Sequence, residues 1–244
     1  MTPDATLREG ATLVVSEVFG PTHQGEGPHS GKLCAFVRLM GCNLSCSWCD
    51  TPYTWDGTRF DLHAEGTRMH VDQVWQQVAA MHVPIVVLSG GEPLLHQRQE
   101  GWVSLLALLS ARHQLHVETN GTILPDVTTR AAVQHFTVSP KLPNANMPRE
   151  RRIIPEVIEA WGALAHSRRA CFKMVCATAR DVQLVDTWVG TFDLPRSEVW
   201  VMPEGATRDE LLAHTPEVTA AAADYGLNIS SRLHVLAHDT KRGV

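Results

Sequence analysis

No stretch of this sequence approaches the roughly 18 uninterrupted apolar residues of a membrane-spanning helix, so a helical membrane protein is excluded. The opening residues, MTPDATLREG, lack a basic flank followed by an apolar run. The expectation is a cytoplasmic protein with no secretory signal. Positive charge is short as well: 21 Lys+Arg against 26 Asp+Glu gives a net charge of −5, with no basic block. That argues against bulk binding of nucleic acid. There is no internal repeat, low-complexity tract or obvious linker, so the economical reading is one domain over residues 1–244. A chain of this length can bury a real core without disulfide staples.

Six cysteines are present, and in a reducing compartment they read as metal ligands, catalytic groups or core residues rather than disulfides. Cys34, Cys171 and Cys176 sit inside apolar runs, whereas Cys42, Cys46 and Cys49 share one short polar segment.

Short β-branched runs alternate with helical patterns. Strands are expected at 13–18, 34–40, 84–88, 115–118, 135–139, 171–176 and 198–202, with a final extended run at 227–236. Helices are expected at 71–82, 101–112 and 153–165, and after Thr178 and Thr207, whose partners Asp181 and Glu210 complete capping boxes. About six βα units with parallel strands give an α/β fold. The irregular stretch 50–69 reads as a functional loop.

Polar residues collect at strand ends: the cysteines after one strand, Ser89-Gly90-Gly91-Glu92-Pro93 after the next, then Glu118-Thr119-Asn120 and Ser139-Pro140-Lys141. Open sheets and barrels place ligands at the carboxyl ends of their strands. Turns are polar anyway, but that does not explain three cysteines. Thiolates suit zinc or an iron–sulfur cluster. Zinc needs a fourth ligand, with His23 or His29 available. A cubane held by three cysteines keeps one iron open for a small chelating molecule.

The order Cys-x3-Cys-x-aromatic-Cys, with Trp48 as the aromatic, followed one βα unit later by the Ser89–Pro93 glycine motif, resembles the radical S-adenosylmethionine (SAM) enzymes. Further segments narrow the likeness: Gln24-Gly25-Glu26-Gly27, Arg38, Asp50-Thr51, residues 118–122, Ser139-Pro140-Lys141, Met202-Pro203-Glu204-Gly205 and Arg232-Leu233-His234. Together they resemble the 7-carboxy-7-deazaguanine synthases, from about residue 13 onward, with 55–69 and 143–169 contributing little.

That resemblance implies a partial, open parallel β/α barrel of about six βα units. It implies a carbon–nitrogen lyase that contracts the ring of 6-carboxy-5,6,7,8-tetrahydropterin to 7-carboxy-7-deazaguanine and ammonia. SAM is used catalytically: its deoxyadenosyl radical takes a hydrogen from carbon 6 and later receives it back. It implies a [4Fe-4S] cluster on Cys42, Cys46 and Cys49, and Mg²⁺ at Thr51. SAM contacts fall on Trp48, Cys49, Asp50, Gly91, Ser139, Pro140, Lys141, Met202, Pro203 and Glu204. Pterin contacts fall on His23, Gln24, Gly25, Glu26, Arg38, Ser89, Glu118 and His234. The implied partners are a reductant such as flavodoxin or ferredoxin and a second copy in a homodimer.

Some of these residues carry their own argument. A carboxylate such as Glu26 can accept from the amino-amide edge of a pterin. Strand alternation puts Arg38 on the face of Phe36 and Met40. An Arg buried there needs an anion, either the substrate carboxylate or a structural ion-pair partner. Two other readings stay open at this level: an activase of glycyl-radical enzymes from the same superfamily, and a non-enzymatic zinc or iron–sulfur module.

Overall fold

The computed structural model describes residues 11–244, so the segment read for a leader lies outside the described residues. The chain runs β1 (Thr12–His23), β2 (Leu33–Leu39), α1 (Leu62–Glu65), β3 (Thr67–His70), α2 (Val71–Ala79), β4 (Ile85–Gly90), α3 (Glu100–Ser110), β5 (Gln114–Thr119), α4 (Val127–Ala132) and β6 (His135–Val138). It continues with α5 (Arg149–Arg152), α6 (Pro155–His166), β7 (Ala170–Cys176), α7 (Ala179–Thr191), β8 (Val199–Pro203), α8 (Arg208–Asp224), β9 (Asn228–Ile229) and α9 (Leu233–His238).

The strands form one open sheet in the order β3-β1-β2-β4-β5-β6-β7-β8-β9. From β2 to β9 every neighbouring pair is parallel, as the βα alternation requires. The first strand departs from that expectation: β1 is antiparallel to both β2 and β3. Its connection to β2 is a tight turn, closed by Gln24 N–H to Lys32 O at 2.8 Å and Gly31 N–H to Gln24 O at 2.8 Å. A parallel crossover needs a dozen or more residues, usually with a helix, and this turn is too short for one.

Two further expectations are corrected. The run 227–236 is not one extended segment: after the two residues of β9 the chain leaves the sheet, and His234 lies on α9 rather than on a strand. Ser230 N–H still reaches Val201 O at 2.8 Å, but Leu233 N–H bonds Gly25 O at 2.9 Å, pulling the chain across the barrel mouth. The segment 50–69 is only partly irregular, because it holds a 3₁₀ turn at Pro52–Thr54, α1 and β3.

The parallel strands are buried on both faces, which is why β7 reads as a continuous buried run. Phe172, Met174 and Cys176 pack into the main core under the helices, together with Trp102, Phe136 and Trp161. Each such aromatic contributes about 1.5–3 kcal/mol through burial. Trp102 also gives its indole N–H to Thr129 Oγ1 at 2.9 Å. The alternate residues face the barrel interior. Cys34, Phe36, Ile85 and Val87 form a separate apolar cluster there with Phe19 against it, while Lys173 and Val175 of β7 line a cavity. Capping boxes at Thr178/Asp181 and Thr207/Glu210 start α7 and α8 as expected.

Candidate active site

A cavity of about 370 Å³ opens at the carboxyl ends of the parallel strands. Of the cluster, Mg²⁺, SAM and pterin residues that the resemblance implies, all but Pro140 and Pro203 line it. Cys42, Cys46 and Cys49 therefore share one chamber with Gln24, Glu26, Arg38 and Glu118.

The cysteine loop is braced from outside. Leu44 and Cys46 pack with Ala145 and Met147. Ser47 N–H bonds Ala145 O at 3.2 Å, and Arg151 donates to Asn43 O at 3.0 Å. Residues 143–152, which carry little of the sequence resemblance, are thus the loop's wall. Burial pushes the Cys42 thiol up to about 11 and raises Cys46 as well. As thiols they hold their protons, and cationic metal is what favours the thiolates. Among the described residues, only Glu26, Asp50 and His234 bring three possible ligand atoms within 4.8 Å of one another. The three cysteine sulfurs do not all lie within that distance of one another, whereas the edge of a tetrahedral zinc–thiolate site is about 3.8 Å. Three soft donors so spaced, at the mouth of a chamber, fit a cluster better than a single zinc ion.

The glycine motif is fastened to that loop. Gly91 N–H bonds Leu39 O at 3.2 Å and Glu92 N–H bonds Gly41 O at 2.8 Å. A Cβ on Gly91 would lie 2.1 Å from Gly41 O and 2.8 Å from Cys42 Cβ. Only glycine lets the end of β4 touch the backbone that opens the cysteine loop. Glu92 is fully buried. Its carboxylate accepts from Leu94 N–H at 3.0 Å, Thr119 Oγ1 at 2.9 Å and Asn120 N–H at 2.7 Å. Burial outweighs those bonds and pushes Glu92 up to about 7. Asn120 in turn donates to Asn43 Oδ1 at 2.8 Å, so the ends of β4 and β5 hold the cysteine loop in place.

Opposite lies a polar edge. Glu118 accepts from Gln24 Nε2 at 3.0 Å and from Ser89 Oγ at 3.3 Å, both neutral donors. Glu26 is differently placed. Its carboxylate is taken by Lys173 and by Arg232 Nε, the latter at 2.9 Å, with His234 Nε2 at 3.8 Å. Burial alone would raise Glu26, but Lys173 and Arg232 overcome it and hold the carboxyl well below its usual range. Arg232 also pairs with Asp50 and donates to Gly205 O at 2.6 Å.

Arg38 is 16% exposed and has a resident partner: its Nε lies 3.0 Å from Glu17 Oε2. Its guanidinium sits 5.7 Å above the Phe19 ring. Tyr53 donates to the same Glu17 oxygen at 3.3 Å, and Arg242 Nε reaches the other at 3.3 Å. Thr51 precedes the Pro52–Thr54 turn without capping it through its side chain, and its hydroxyl lies 3.7 Å from Cys49 Sγ.

Sequence reasoning missed Glu17, Tyr53, Trp55, Lys173 and Arg242 as cavity residues. A signal existed for Lys173: a charge at every-second-residue spacing inside an apolar strand run, the same cue that marks Arg38.

The family model for the radical SAM superfamily matches residues 37–162. The 7-carboxy-7-deazaguanine synthase of Pyrobaculum aerophilum is 35% identical, over 94% of this chain and 96% of that protein. Those of Hyperthermus butylicus and Rhodopirellula baltica are 36% and 33% identical, covering 92% and 99% of this chain and 92% and 93% of theirs. The crystal structure of QueE from Escherichia coli shares the fold, with a TM-score of 0.66 over 96% of this chain and 99% of that one at 22% identity. This chain belongs to the 7-carboxy-7-deazaguanine synthase family of the radical SAM superfamily.

Proposed function

We propose that this chain, acting as one domain, converts 6-carboxy-5,6,7,8-tetrahydropterin to 7-carboxy-7-deazaguanine and ammonia. One observation carries the reading: the three-thiol loop and the Gln24–Ser89–Glu118 edge open into the same cavity. Cys42, Cys46 and Cys49 hold the [4Fe-4S] cluster, and the cluster with SAM supplies the one-electron chemistry when both are bound. Trp48, Asp50, Gly91, Ser139, Lys141, Met202 and Glu204 line the SAM side, with Pro140 and Pro203 shaping the turns behind them.

Glu118 is the carboxylate with accepting capacity left for the amino-amide edge of a pterin, because cations occupy Glu26. Gln24 and Ser89 orient Glu118. Arg38 faces the substrate carboxylate, with His23, Gly25 and His234 along the same wall. Thr51 offers its hydroxyl to Mg²⁺, a hard cation that takes oxygen ligands. Holding the partners together in one chamber orients the reacting carbon and limits access of water. No helix among the described residues is long and apolar enough to cross a membrane. The enzyme so proposed is cytoplasmic, is served by flavodoxin or ferredoxin, and works as a homodimer.

The test is anaerobic incubation of the reconstituted protein with SAM, Mg²⁺, a reductant and the carboxy-tetrahydropterin, with mass spectrometry of the products. The expected result is 7-carboxy-7-deazaguanine and ammonia. Full iron content with no ring-contracted product overturns the proposal.

A further inference from the structure

The Cys42 sulfur accepts from Leu44 N–H within the loop at 3.4 Å and from Asn120 Nδ2 at 4.0 Å, whereas Cys49 receives a donor from the turn that follows the loop. The Trp55 indole Nε1 lies 3.4 Å from Cys49 Sγ, with its N–H directed at the sulfur. Trp55 belongs to a stretch that contributes little to the sequence resemblance, yet its position is closely determined. The chain turns after Thr51 through the Pro52–Thr54 3₁₀ turn, and Thr54 O accepts Gly41 N–H at 2.7 Å. That bond ties the turn to the residue immediately before Cys42. Thr54 is buried, and its hydroxyl donates to Thr51 O at 2.8 Å. Trp55 N–H then closes on Pro52 O at 3.1 Å and Asp56 N–H on the same oxygen at 2.7 Å. Asp56 is itself anchored by Thr58 and by Arg59 Nε at 2.6 Å. The indole is thus returned to the loop it left, with its single polar atom on a ligand sulfur.

Hydrogen bonds to ligand sulfurs are among the levers that set an iron–sulfur potential, because they stabilise the more electron-rich, reduced cluster. Indole N–H is a donor only, so it cannot act as a ligand or a base there. We propose that Trp55 raises the reduction potential of the cluster on Cys42, Cys46 and Cys49 through its N–H···S bond to Cys49. Trp55 eases delivery of one electron from an external one-electron carrier. It is a positioning and tuning residue, not a ligand. The inference rests on the reading that these thiols hold a [4Fe-4S] cluster.

The test compares the reconstituted protein with Trp55→Phe, which keeps a ring in place and deletes the donor. Both are titrated anaerobically with dithionite and redox mediators, and the reduced cluster is read by electron paramagnetic resonance. Trp55→Phe should keep its iron and its thermal midpoint while its potential moves negative. At the wild-type midpoint the ratio of reduced to oxidised cluster should fall about tenfold, which is about 59 mV for a one-electron couple. An unmoved potential at full iron content overturns the proposal, and so does loss of the cluster, which makes Trp55 a structural brace. A second measurement needs no variant at Trp55. With ¹⁵N-indole tryptophan in a Trp48→Phe background, the reduced cluster should show a ¹⁵N coupling; its absence also overturns the assignment. Neither readout uses the pterin, so a protein that forms no product yet shows the shift separates this inference from the proposed reaction.

Discussion

Arg38 and Glu17 face each other across the β1–β2 ladder, with Arg38 Nε 3.0 Å from Glu17 Oε2. The Arg is therefore not an unpaired charge waiting for substrate. It has a structural partner, and it also lines the cavity. Arg38→Met keeps much of the volume and removes the cation. Glu17 retains Tyr53 and Arg242 in that variant, so the thermal midpoint should fall only modestly. Affinity for the carboxy-tetrahydropterin should drop by about 2–4 kcal/mol, roughly 30- to 1000-fold, as for one lost charge-assisted pair. Calorimetric Kd alongside the melting midpoint decides. A normal Kd with a large loss of stability makes Arg38 purely structural.

Glu26 predicts the opposite balance. It sits between Lys173 and Arg232, both largely buried. Glu26→Gln removes the ion-pair partner of Lys173 and leaves Arg232 with Asp50, and breaking a buried pair costs about 3–5 kcal/mol. Denaturant unfolding should show that loss in protein without any ligand. A stable Glu26→Gln protein defective only in pterin binding would return Glu26 to the reading edge.

Gly91 has a sharper requirement. A methyl group there would overlap Gly41 O, so Gly91→Ala must push β4 off the start of the cysteine loop. Iron content after reconstitution should fall severely although all three cysteines remain. Retention of a full cluster in Gly91→Ala would show that the contact is dispensable.

At the barrel floor the His116 and His135 rings lie 5.5 Å apart, and the His29 ring lies 4.4 Å from each. Burial pushes His116 down to about 4 and His135 to about 3, against about 6.5 in an unfolded chain. Between those values the unfolded state binds more protons. The stability they protect is complete above about pH 6.5 and falls as pH drops toward 4, by up to about 1.4 kcal/mol per pH unit for each group. Glu92, raised to about 7, tilts the curve the other way between about 4.5 and 7. The difference between variants isolates the histidines: urea midpoints of His135→Gln should depend less on acid than those of the wild type. Identical pH slopes would contradict the assignment.

What the sequence made legible follows from how local each signal is. Cys42, Cys46 and Cys49 are close in the chain, so spacing alone marks them. Arg38 stands out by alternation within a single strand. The direction of β1 depends on the closing hydrogen bonds of the 24–32 turn, which an apolar pattern does not display. Residues 227–236 suit either strand or helix periodicity, and the choice is made by distant partners: Arg232 reaches Glu26, Asp50 and Gly205. The ion network around Glu26 joins residues from opposite ends of the chain, so no window along the sequence contains it.

Whether the thiol loop and the Glu118 edge serve one reaction is decided by following pterin, SAM and product together by mass spectrometry in anaerobic reactions of wild type and Cys46→Ala. The wild type should form 7-carboxy-7-deazaguanine over many turnovers while the SAM pool stays nearly constant, and Cys46→Ala should form none. Product from the cluster-less variant, or SAM consumed in step with product, would contradict the account.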